Sequence, residues 1–455
     1  MARVVVATGM PQGLLDRSRP TADWCLQWDG HDYNVLVNIS ELREVMTSEP
    51  PPLLRDILDI AAAALMSDIA VLRGSNEAWT RDIDLLIPVR EPHFWEENKH
   101  RLTGILHALT RDNFRITFCA HEPAEEELLR PSGHAAAEVD CVSALSGGLD
   151  SLAGAVMLLR AGRKPLFVTH QSGNPQIRTA QSAIRETLEE LWPGTATFAG
   201  VLLQPRKSGR FAFPEPRERE ISRRSRSLLF MALLAVAAHA TEVEEAYFCD
   251  NGVLTVALPL SDGRIGSLST RSTHPLVLSD FNALLEAAGV KVTVVNPFVY
   301  QTKAELIREI LRPVLTPAQI QASVSCWMTG RRQRPCGGCI PCLLRRVSML
   351  AAGAPDEAYE MDILAEPTAY RGTEAYGNLT DLLTQVMRVR SMSEAELLMQ
   401  WPQLLDLASA GVAVADVIAM YRRYAEEVWN VMHEHFPTTA ALMTTGDQNN
   451  QGTTE

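Results

Sequence analysis

Residues 141–151 read CVSALSGGLDS and join a short apolar run to the start of a helix through two adjacent glycines. Such a turn lets backbone amides close around an anion, and the dipole of the following helix adds positive potential. Ser146 and Ser151 supply hydroxyl donors. Because phosphate would repel the carboxylate of Asp150, we interpret Asp150 as a ligand of Mg²⁺ that bridges to phosphates. The stretch predicts a phosphate site, and a serine-capped glycine turn without a ligand is the alternative.

Strand and helix patterns alternate around this loop from about residue 136 to residue 350. The predicted strands span 139–145, 165–170, 196–203, 246–250 and 291–295, and the predicted helices span 151–161, 177–191, 218–240 and 276–288. This alternation is typical of an α/β fold in which helices cover both faces of a parallel sheet. No Walker-type G-x-x-x-x-G-K-[ST] run occurs in the sequence, which disfavours that class of NTPase.

The flanking regions have different patterns. Residues 1–135 contain alternating strand patterns at 33–39, 84–89 and 114–119 and helices at 53–72 and 92–109, which predict an α+β accessory domain with partly antiparallel strands. No catalytic constellation stands out there, and this favours a scaffold or docking role. Residues 351–437 are predicted to be helical, with helices at 376–389 and 412–436 and a Ser393-x-x-Glu396 capping box. The Thr-, Asn- and Gln-rich tail at 438–455 is predicted to be disordered.

Length and composition limit the class of protein. The chain has 455 residues, which is enough for two or three domains, and 46% of them are hydrophobic. No apolar run approaches the about 18 residues of a membrane span, so we expect a soluble protein with a cytoplasmic location. The net charge of −13 would repel a polyanion and disfavours long nucleic-acid substrates, whereas small anions remain possible.

Four of the eight cysteines are Cys326, Cys336, Cys339 and Cys342. Their spacing presents thiolates to one tetrahedral ion, as in structural zinc sites, and four cysteine ligands would saturate Zn²⁺. We therefore predict a structural zinc site. An iron–sulfur cluster and four unrelated buried cysteines are the alternatives.

The loop at 146–151 resembles the PP-loop of the ATP pyrophosphatase superfamily, whose members cleave ATP between the α- and β-phosphates and adenylate an oxygen of the substrate. This resemblance implies that the loop binds pyrophosphate through Ser146, Gly147, Gly148, Leu149, Asp150 and Ser151.

The loop, the segment from Asn296 to Glu305 and the cysteine segment together resemble QueC, the 7-cyano-7-deazaguanine synthase, over about residues 138–350. The resemblance implies a deazapurine substrate, 7-carboxy-7-deazaguanine, which ATP activates. In that family ammonia then forms the amide, and a second activation gives the nitrile. The implied cofactors are ATP, Mg²⁺ and Zn²⁺.

The sequence departs from QueC at its tyrosine-proline-aspartate-cysteine-arginine motif, where residues 269–275 read STRSTHP. This run, the Asp-Asn-Gly turn at 250–252 and the added N-terminal domain look like QueC-like proteins of anti-phage operons, the QatC and type IV CBASS kind. That resemblance implies that the amine acceptor is a terminus of an operon-encoded protein partner. The residues expected to bind the substrate are Asp250, Asn251, Arg271, Thr273 and His274.

Three further residues are expected at the site. The region from 205 to 226 is rich in basic residues, and Arg226 falls where QueC proteins have an arginine before a helix over the site. Contact with phosphates or an acidic partner is favoured over a solvated mobile loop. Lys303 follows the last predicted strand and could reach phosphate, with a surface lysine as the alternative. His170 ends the second strand, where α/β sheets place ligands. We predict catalytic roles for Asp150, Lys303 and Arg226 and cofactor binding by His170.

The sequence leaves several functions open. The favoured function is adenylation of a deazapurine carboxylate followed by its coupling to an amine. The rivals are an ordinary nitrile synthase that uses ammonia, an RNA-modifying PP-loop thiolase and a non-catalytic, zinc-stabilised nucleotide-binding subunit of a defence complex. The acidic composition disfavours the thiolase, and the complete loop with Asp150 favours turnover over sensing.

Overall fold

The computed structural model describes residues 1–30, 32–74, 79–122, 129–132, 138–171, 173–206, 209–260, 271–328, 334–355 and 357–450, the last seven of them by their backbone alone. The strands are β1 (Ala2–Val6), β2 (Trp24–Leu26), β3 (Val35–Asn38), β4 (Asp82–Val89), β5 (Asn113–Ala120), β6 (Cys141–Ala144), β7 (Pro165–Gln171), β8 (Thr197–Pro205), β9 (Glu245–Tyr247) and β10 (Thr293–Val295). Most of them follow a helix, which explains why parallel pairing dominates.

The helices lie between and after these strands. They are α1 (Gln12–Ser18), α2 (Ser40–Val45), α3 (Pro52–Ala70), α4 (Pro92–Thr110), α5 (Leu149–Arg160), α6 (Pro175–Leu191), α7 (Arg226–Ala240), α8 (Gly252–Val256), α9 (Pro275–Ala287), α10 (Lys303–Glu305), α11 (Pro317–Gln321), α12 (Ile340–Ala351), α13 (Glu374–Ser391), α14 (Glu394–Gln400), α15 (Val414–His435) and α16 (Pro437–Asn450). A π-helical segment at Leu306–Leu311 continues α10. Among the described residues, no helix has the length and hydropathy that a membrane span requires.

The larger sheet has the strand order β10-β9-β6-β7-β8-β3. Its strands pair in parallel except for β3, which runs antiparallel to β8. From β6 the chain proceeds through β7 and β8 on one side, and it later adds β9 and β10 on the other side. The order therefore reverses between β6 and β9, and ligands of open α/β sheets bind beyond the carboxyl ends of the strands at such a point. The predicted mixed α/β fold with a parallel sheet is confirmed.

The N-terminal sheet has the order β2-β1-β4-β5 and is parallel throughout. The prediction of an α+β region with partly antiparallel strands is therefore wrong. The alternating run at 33–39 forms β3, but β3 pairs with β8 of the larger sheet instead of with its neighbours in sequence. The strands β4 and β5 are parallel because the whole of α4 lies between them, and a helix of that length returns the chain to the same end of the sheet.

The two sheets share one hydrophobic core, which contains the alanine-rich helices α3 and α7. Nearly every residue of α7 is buried, from Ser227 to Ala240. A helix that is apolar all round is expected only where protein covers every face. Residues 1–120 thus pack as part of the same core as the larger sheet.

The C-terminal helices form a second apolar cluster around α13 and α15. Helix α14 begins with the predicted capping box of Ser393 and Glu396. The structure differs from the predicted disordered tail, because α16 continues the helical region to residue 450. Ala440 and Met443 are buried in this cluster, and the Thr439 hydroxyl donates to the Leu364 carbonyl at 2.6 Å. Residues 451–455 lie outside the described residues.

The close contact of α3 and α7 leads to a stability prediction. Ala64 of α3 is fully buried, and its carbonyl faces the hydroxyl of Ser225, the residue before α7. We expect Ala64→Leu to lower the free energy of unfolding by about 1–3 kcal/mol because the added methylenes have no space. Ala395→Leu, on the exposed side of α14, is the control and should change it by less than about 0.5 kcal/mol in denaturant titrations. Equal effects of the two substitutions would contradict the prediction.

Candidate active site

The loop after β6 has the tight geometry that its sequence predicts. The Ser146 hydroxyl lies 3.1 Å from the Ser151 hydroxyl and accepts from the Gly148 amide at 3.3 Å, while Ser151 donates to the Gly148 carbonyl at 2.9 Å. Gly147 has φ of +88°, which a residue with a side chain rarely adopts, and an added Cβ would lie 3.1 Å from Gln181. The loop thus forms a compact turn that leads directly into α5 and its N-terminal dipole.

Asp150 lies in the first turn of α5 and is 7% exposed. Its carboxylate forms an ion pair with Lys303 at 2.5 Å and accepts from the Asn251 amide at 3.2 Å. Three segments that are distant in sequence therefore meet at one carboxylate beyond the ends of β6, β9 and β10. The predicted residues Asp150, Asn251 and Lys303 lie together, and Lys303 is buried instead of being a surface lysine.

Asp250 is a second acidic group of this cluster. Burial, and then the charge of Asp150, raise the pKa of Asp250 to about 7, although Lys303 and the Thr273 hydroxyl oppose the shift. Thr273 donates to the Asp250 carboxylate at 3.2 Å and lies 2.8 Å from the Thr255 hydroxyl. Thr273 therefore positions Asp250. The ionised form of Asp250 gives two carboxylates beside one ammonium, and a divalent cation such as Mg²⁺, which prefers hard oxygen ligands, would favour that form.

His170 is the next-to-last residue of β7 and lines the same cleft, of about 220 Å³. Its Nε2 is 3.2 Å from the Leu203 carbonyl, which assigns the proton to Nε2, and the buried Nδ1 has no partner among the described residues. Burial, and then the charge of Arg226, lower the pKa of His170 from 6.5 to about 4. The imidazole is therefore neutral at pH 7, and Nδ1 can accept a hydrogen bond from a ligand.

Arg226 is the first residue of α7 and lines the cleft beside His170. Desolvation, and then the neighbouring Arg223, lower the pKa of Arg226 to about 10, so the guanidinium stays charged at neutral pH. No hydrogen bond of this guanidinium is found within the described part of the chain. A desolvated cation without a carboxylate partner favours binding of an anion.

Asp68, which sequence reasoning missed, fixes the position of Arg226 through the residue that precedes it. The buried carboxylate of Asp68, near the end of α3, accepts from the Ser225 amide at 3.0 Å and from its hydroxyl at 2.9 Å. The other oxygen of Asp68 pairs with Arg81 at 2.5 Å. Arg223 has φ of +45°, which costs free energy for a residue with a side chain. No local motif marks Asp68, because its partner lies far away in sequence.

The remaining predicted substrate residues lie elsewhere. Among the described residues Ser272 lines the cleft, whereas Arg271 and His274 do not. Burial, and then Arg271 and Arg111, lower the pKa of His274 to about 3. Arg271 and His274 thus lie near Arg111, at the C-terminal end of α4. Positions 269 and 270 of the STRSTHP run, and Lys207 of the basic region, lie outside the described residues.

The four cysteines Cys326, Cys336, Cys339 and Cys342 are buried, and their sulfur atoms all lie within 4.8 Å of one another. The sulfurs of Cys336 and Cys342 are 3.9 Å apart, close to the about 3.8 Å between two ligands of a tetrahedral zinc with Zn–S bonds of about 2.3 Å. The amides of Cys336 and Cys339 point to the sulfurs of Cys326 and Cys336, each at 3.4 Å. The cluster can hold zinc.

The cysteine cluster is connected to the phosphate loop. The Val324 amide donates to the Gly147 carbonyl at 2.9 Å, and residues 324–327 line the cleft. Arg345, which is 1% exposed, donates to the Ser323 hydroxyl at 2.9 Å and pairs with Glu357 at 2.5 Å. A metal at the cysteines would therefore stabilise the wall that contacts the phosphate loop.

Residues 273–353 match the family model described as "Queuosine biosynthesis protein QueC". The match supports a QueC-like family for this segment, which carries Lys303 and all four cysteines but less than a fifth of the chain. Among curated proteins no match is found. Among solved structures, the chain is similar to "Crystal structure of a ketoreductase domain from the bacillaene assembly line", with 7% identity, a TM-score of 0.18, and coverage of 65% of this chain and 80% of that one. A likeness this low supports no functional argument.

The cysteine geometry predicts stoichiometric zinc. We expect purified protein to contain about one zinc per chain, and Cys339→Ser to lower the melting temperature because metal binding contributes directly to folding. Cys119→Ser, which changes a half-buried cysteine outside the cluster, is the matched control. Metal-free protein, or equal melting of wild type and Cys339→Ser, would show that the cluster holds no structural metal.

The neutral state of His170 predicts acid sensitivity. The unfolded chain takes up the proton near pH 6.5, whereas the folded chain resists it down to about pH 4. The stability from this residue is therefore present above pH 6.5 and is lost as the pH falls to about 4, by about 3 kcal/mol at most. Denaturant titrations from pH 7 to 4 should show a weaker pH dependence in His170→Gln than in wild type. Identical slopes would rule out a buried neutral imidazole.

Proposed function

We propose that this chain is an ATP-dependent, QueC-like synthase of the PP-loop type, which transfers AMP to a carboxylate and releases pyrophosphate. The observation that carries the proposal is the buried Asp150, which joins the serine-glycine loop to Lys303 and Asn251 at the reversal point of the sheet. The QueC match at residues 273–353 supports it independently.

Each group of the cleft has a role in this reaction. The loop at 146–151 and α5 would hold the pyrophosphate that leaves, and Arg226 would offset its growing charge. Asp150 and Asp250 would hold Mg²⁺, which neutralises phosphate charge. His170 Nδ1 would accept a hydrogen bond from an amino or hydroxyl group of the nucleotide. Lys303, which is buried beside Asp150, would orient that carboxylate and approach the phosphates.

The proposed reaction has two steps, adenylation of the carboxylate and attack by the amine. A carboxylate oxygen of the substrate attacks the α-phosphorus of ATP, and the bond from that phosphorus to the bridging oxygen of pyrophosphate breaks. An amine then attacks the carbonyl carbon of the acyl adenylate, loses a proton and expels AMP. Activation is needed because a free carboxylate is a poor electrophile toward amines.

The proposed substrate is a 7-carboxy-7-deazaguanine-type carboxylate, and the proposed amine is a terminus of a partner protein in anti-phage defence. The departure from QueC at residues 269–275 and the chain length support this choice over ammonia. In the structure the added N-terminal and C-terminal segments pack into the same cores as the catalytic elements, and they are therefore part of the enzyme itself. We propose a cytoplasmic location for this reaction.

Asp150→Asn tests the proposed function. With ATP, Mg²⁺ and 7-carboxy-7-deazaguanine, wild type should release pyrophosphate, and the variant should release it about 100-fold more slowly per folded molecule. The rates are compared below the melting temperature of the variant, because the substitution also leaves the buried Lys303 ammonium without this carboxylate and lowers stability. Asp140→Asn is the matched control, because Asp140 is exposed and lies just before the first residue of β6, at the opposite end of this strand from Asp150. Pyrophosphate release by Asp150→Asn at the wild-type rate would remove Asp150 from the mechanism.

The acceptor is tested separately. The same mixture with the protein encoded beside this one should yield a covalent amide on that protein, visible in its intact mass. Efficient conversion of the acid to 7-cyano-7-deazaguanine with ammonium alone, and no adduct, would identify the chain as a nitrile synthase.

A further inference from the structure

The N-terminal sheet has its own reversal of strand order. From β1 the chain forms β2 on one side, and β4 and β5 then extend the sheet on the other side of β1. The carboxyl ends of β1 and β4 therefore border a crevice, which is the place where parallel sheets of this kind bind ligands. Sequence reasoning assigned only a scaffold or docking role to this region, because the residues involved belong to no short motif.

A cavity of about 500 Å³ lies at this edge of the N-terminal sheet. The loop after each of its four strands contributes polar side chains: Thr8 follows β1, Asp29 follows β2, Arg90 and Glu91 follow β4, and His121 follows β5. The opposite wall is apolar and comes from α3, β8 and α7, with Leu58, Val201, Leu203, Leu229 and Leu233. Ligand sites commonly combine an apolar wall of this kind with a few convergent polar groups.

The backbone after β1 is shaped to close the polar edge. Gly9 has φ of +68°, and an added Cβ would lie 2.1 Å from Nε2 of His121. Only glycine therefore lets the His121 ring lie against this loop. Burial, and then the charge of Arg90, lower the pKa of His121, so the imidazole adds no positive charge at pH 7.

The polar edge carries more negative than positive charge. Arg90 is shared by two carboxylates, Asp56 at 2.9 Å and Asp59 at 2.7 Å. Asp29 is a third carboxylate at this edge, and the only hydrogen bond found for its side chain within the described residues comes from the Thr8 hydroxyl, at 3.0 Å. Among the side chains that line the cavity, the carboxylates of Asp29, Glu49, Asp59 and Glu91 outnumber the guanidiniums of Arg55 and Arg90, and Arg55 pairs with Glu49 at 2.8 Å. Partly buried carboxylates in excess are stabilised by a cation that shares their environment.

We propose that this cavity binds an organic cation, with a primary ammonium group at Asp29 and Asp59 and an apolar body against the leucines of α3 and α7. A simple metal ion would leave the apolar wall unused, and an anionic ligand would meet an excess of carboxylates. The ammonium donates to carboxylate oxygens in charge-assisted hydrogen bonds, and the apolar body removes the wall from water.

The proposed cation site is distinct from the phosphate cleft. The two lie on different faces of α7: Arg226 and Phe230 line the cleft, whereas Leu229 and Leu233 line the cation site. No described residue lines both. The inference goes beyond the proposed function, and its test contains no ATP, so the failure of one leaves the other standing.

The test uses the full chain and three probes that share one apolar body: 4-phenylbutylamine, 4-phenylbutanol and 4-phenylbutyrate. Binding is measured by calorimetry and by saturation-transfer NMR. We expect saturable binding of the amine at least about tenfold tighter than that of the alcohol, and weaker binding still of the carboxylate.

Three variants locate the site. Asp29→Asn keeps an acceptor for the Thr8 hydroxyl but removes one negative charge. It should weaken binding of 4-phenylbutylamine about tenfold and leave binding of 4-phenylbutanol unchanged. Leu58→Trp, at a half-buried position of the apolar wall, should abolish binding of all three probes. Asp82→Asn is the matched control, because Asp82 lies exposed at the amino edge of the same sheet and should leave every affinity unchanged.

Thermal melting of each variant shows whether it is folded. If Asp29→Asn does not fold, the proposal is tested by the affinities of the three probes for wild type and for Leu58→Trp. Equal affinity for the amine and the carboxylate, binding of the amine that survives Leu58→Trp, or no saturable binding of the amine up to about 10 mM would overturn the proposal.

Discussion

The buried carboxylate of Asp68 is the interaction on which the arrangement of this protein depends. It belongs to the N-terminal sheet region, where it pairs with Arg81, and it also holds the amide and hydroxyl of Ser225. Removal of one partner from such a pair leaves a buried charge unpaired and typically costs about 3–5 kcal/mol. Because Ser225 directly precedes Arg226, the same carboxylate fixes the start of α7 and thereby one wall of the candidate active site.

Two further parts of the chain secure the other walls of the cleft. Glu427 of α15 accepts from the Thr302 hydroxyl at 2.9 Å, and Thr302 caps the helix that begins with Lys303. On the side of the cysteine cluster, the Val324 amide donates to the Gly147 carbonyl. The N-terminal region, the C-terminal helices and the cysteine segment each position one element at the carboxyl ends of β6 and β9. This convergence explains why residues outside the QueC-like segment pack in the same cores.

Local sequence signals predicted the elements that depend on neighbours in sequence. The strand-loop-helix around Gly147 and Gly148, the capping box of Ser393 and the cysteine cluster all follow from short-range geometry, and the structure contains them. The pairing of strands within a sheet was harder to predict. An alternating pattern reveals a half-buried strand, but it shows neither the neighbouring strand nor the relative direction of the two. The run at 33–39 is an example, since β3 joins β8 at the edge of the larger sheet.

Long-range polar contacts were likewise outside the reach of sequence patterns. The link between Asp68 and Ser225 spans 157 positions, and neither residue lies in a motif. Arg271 and His274 belong to the run that replaces a QueC motif and were expected to bind the substrate, yet they lie beside Arg111 instead of lining the cleft. A motif fixes which residues are present, but side-chain direction depends on how the following helix, α9, is packed.

The most direct test of the central claim, transfer of AMP to a carboxylate, is isotope transfer. The substrate 7-carboxy-7-deazaguanine would be labelled with ¹⁸O in its carboxylate and incubated with the protein, ATP, Mg²⁺ and the amine acceptor, and the nucleotide product would be analysed by mass spectrometry. Adenylation predicts AMP that carries one ¹⁸O atom from the carboxylate. Unlabelled AMP, or ADP with free phosphate, would contradict the account.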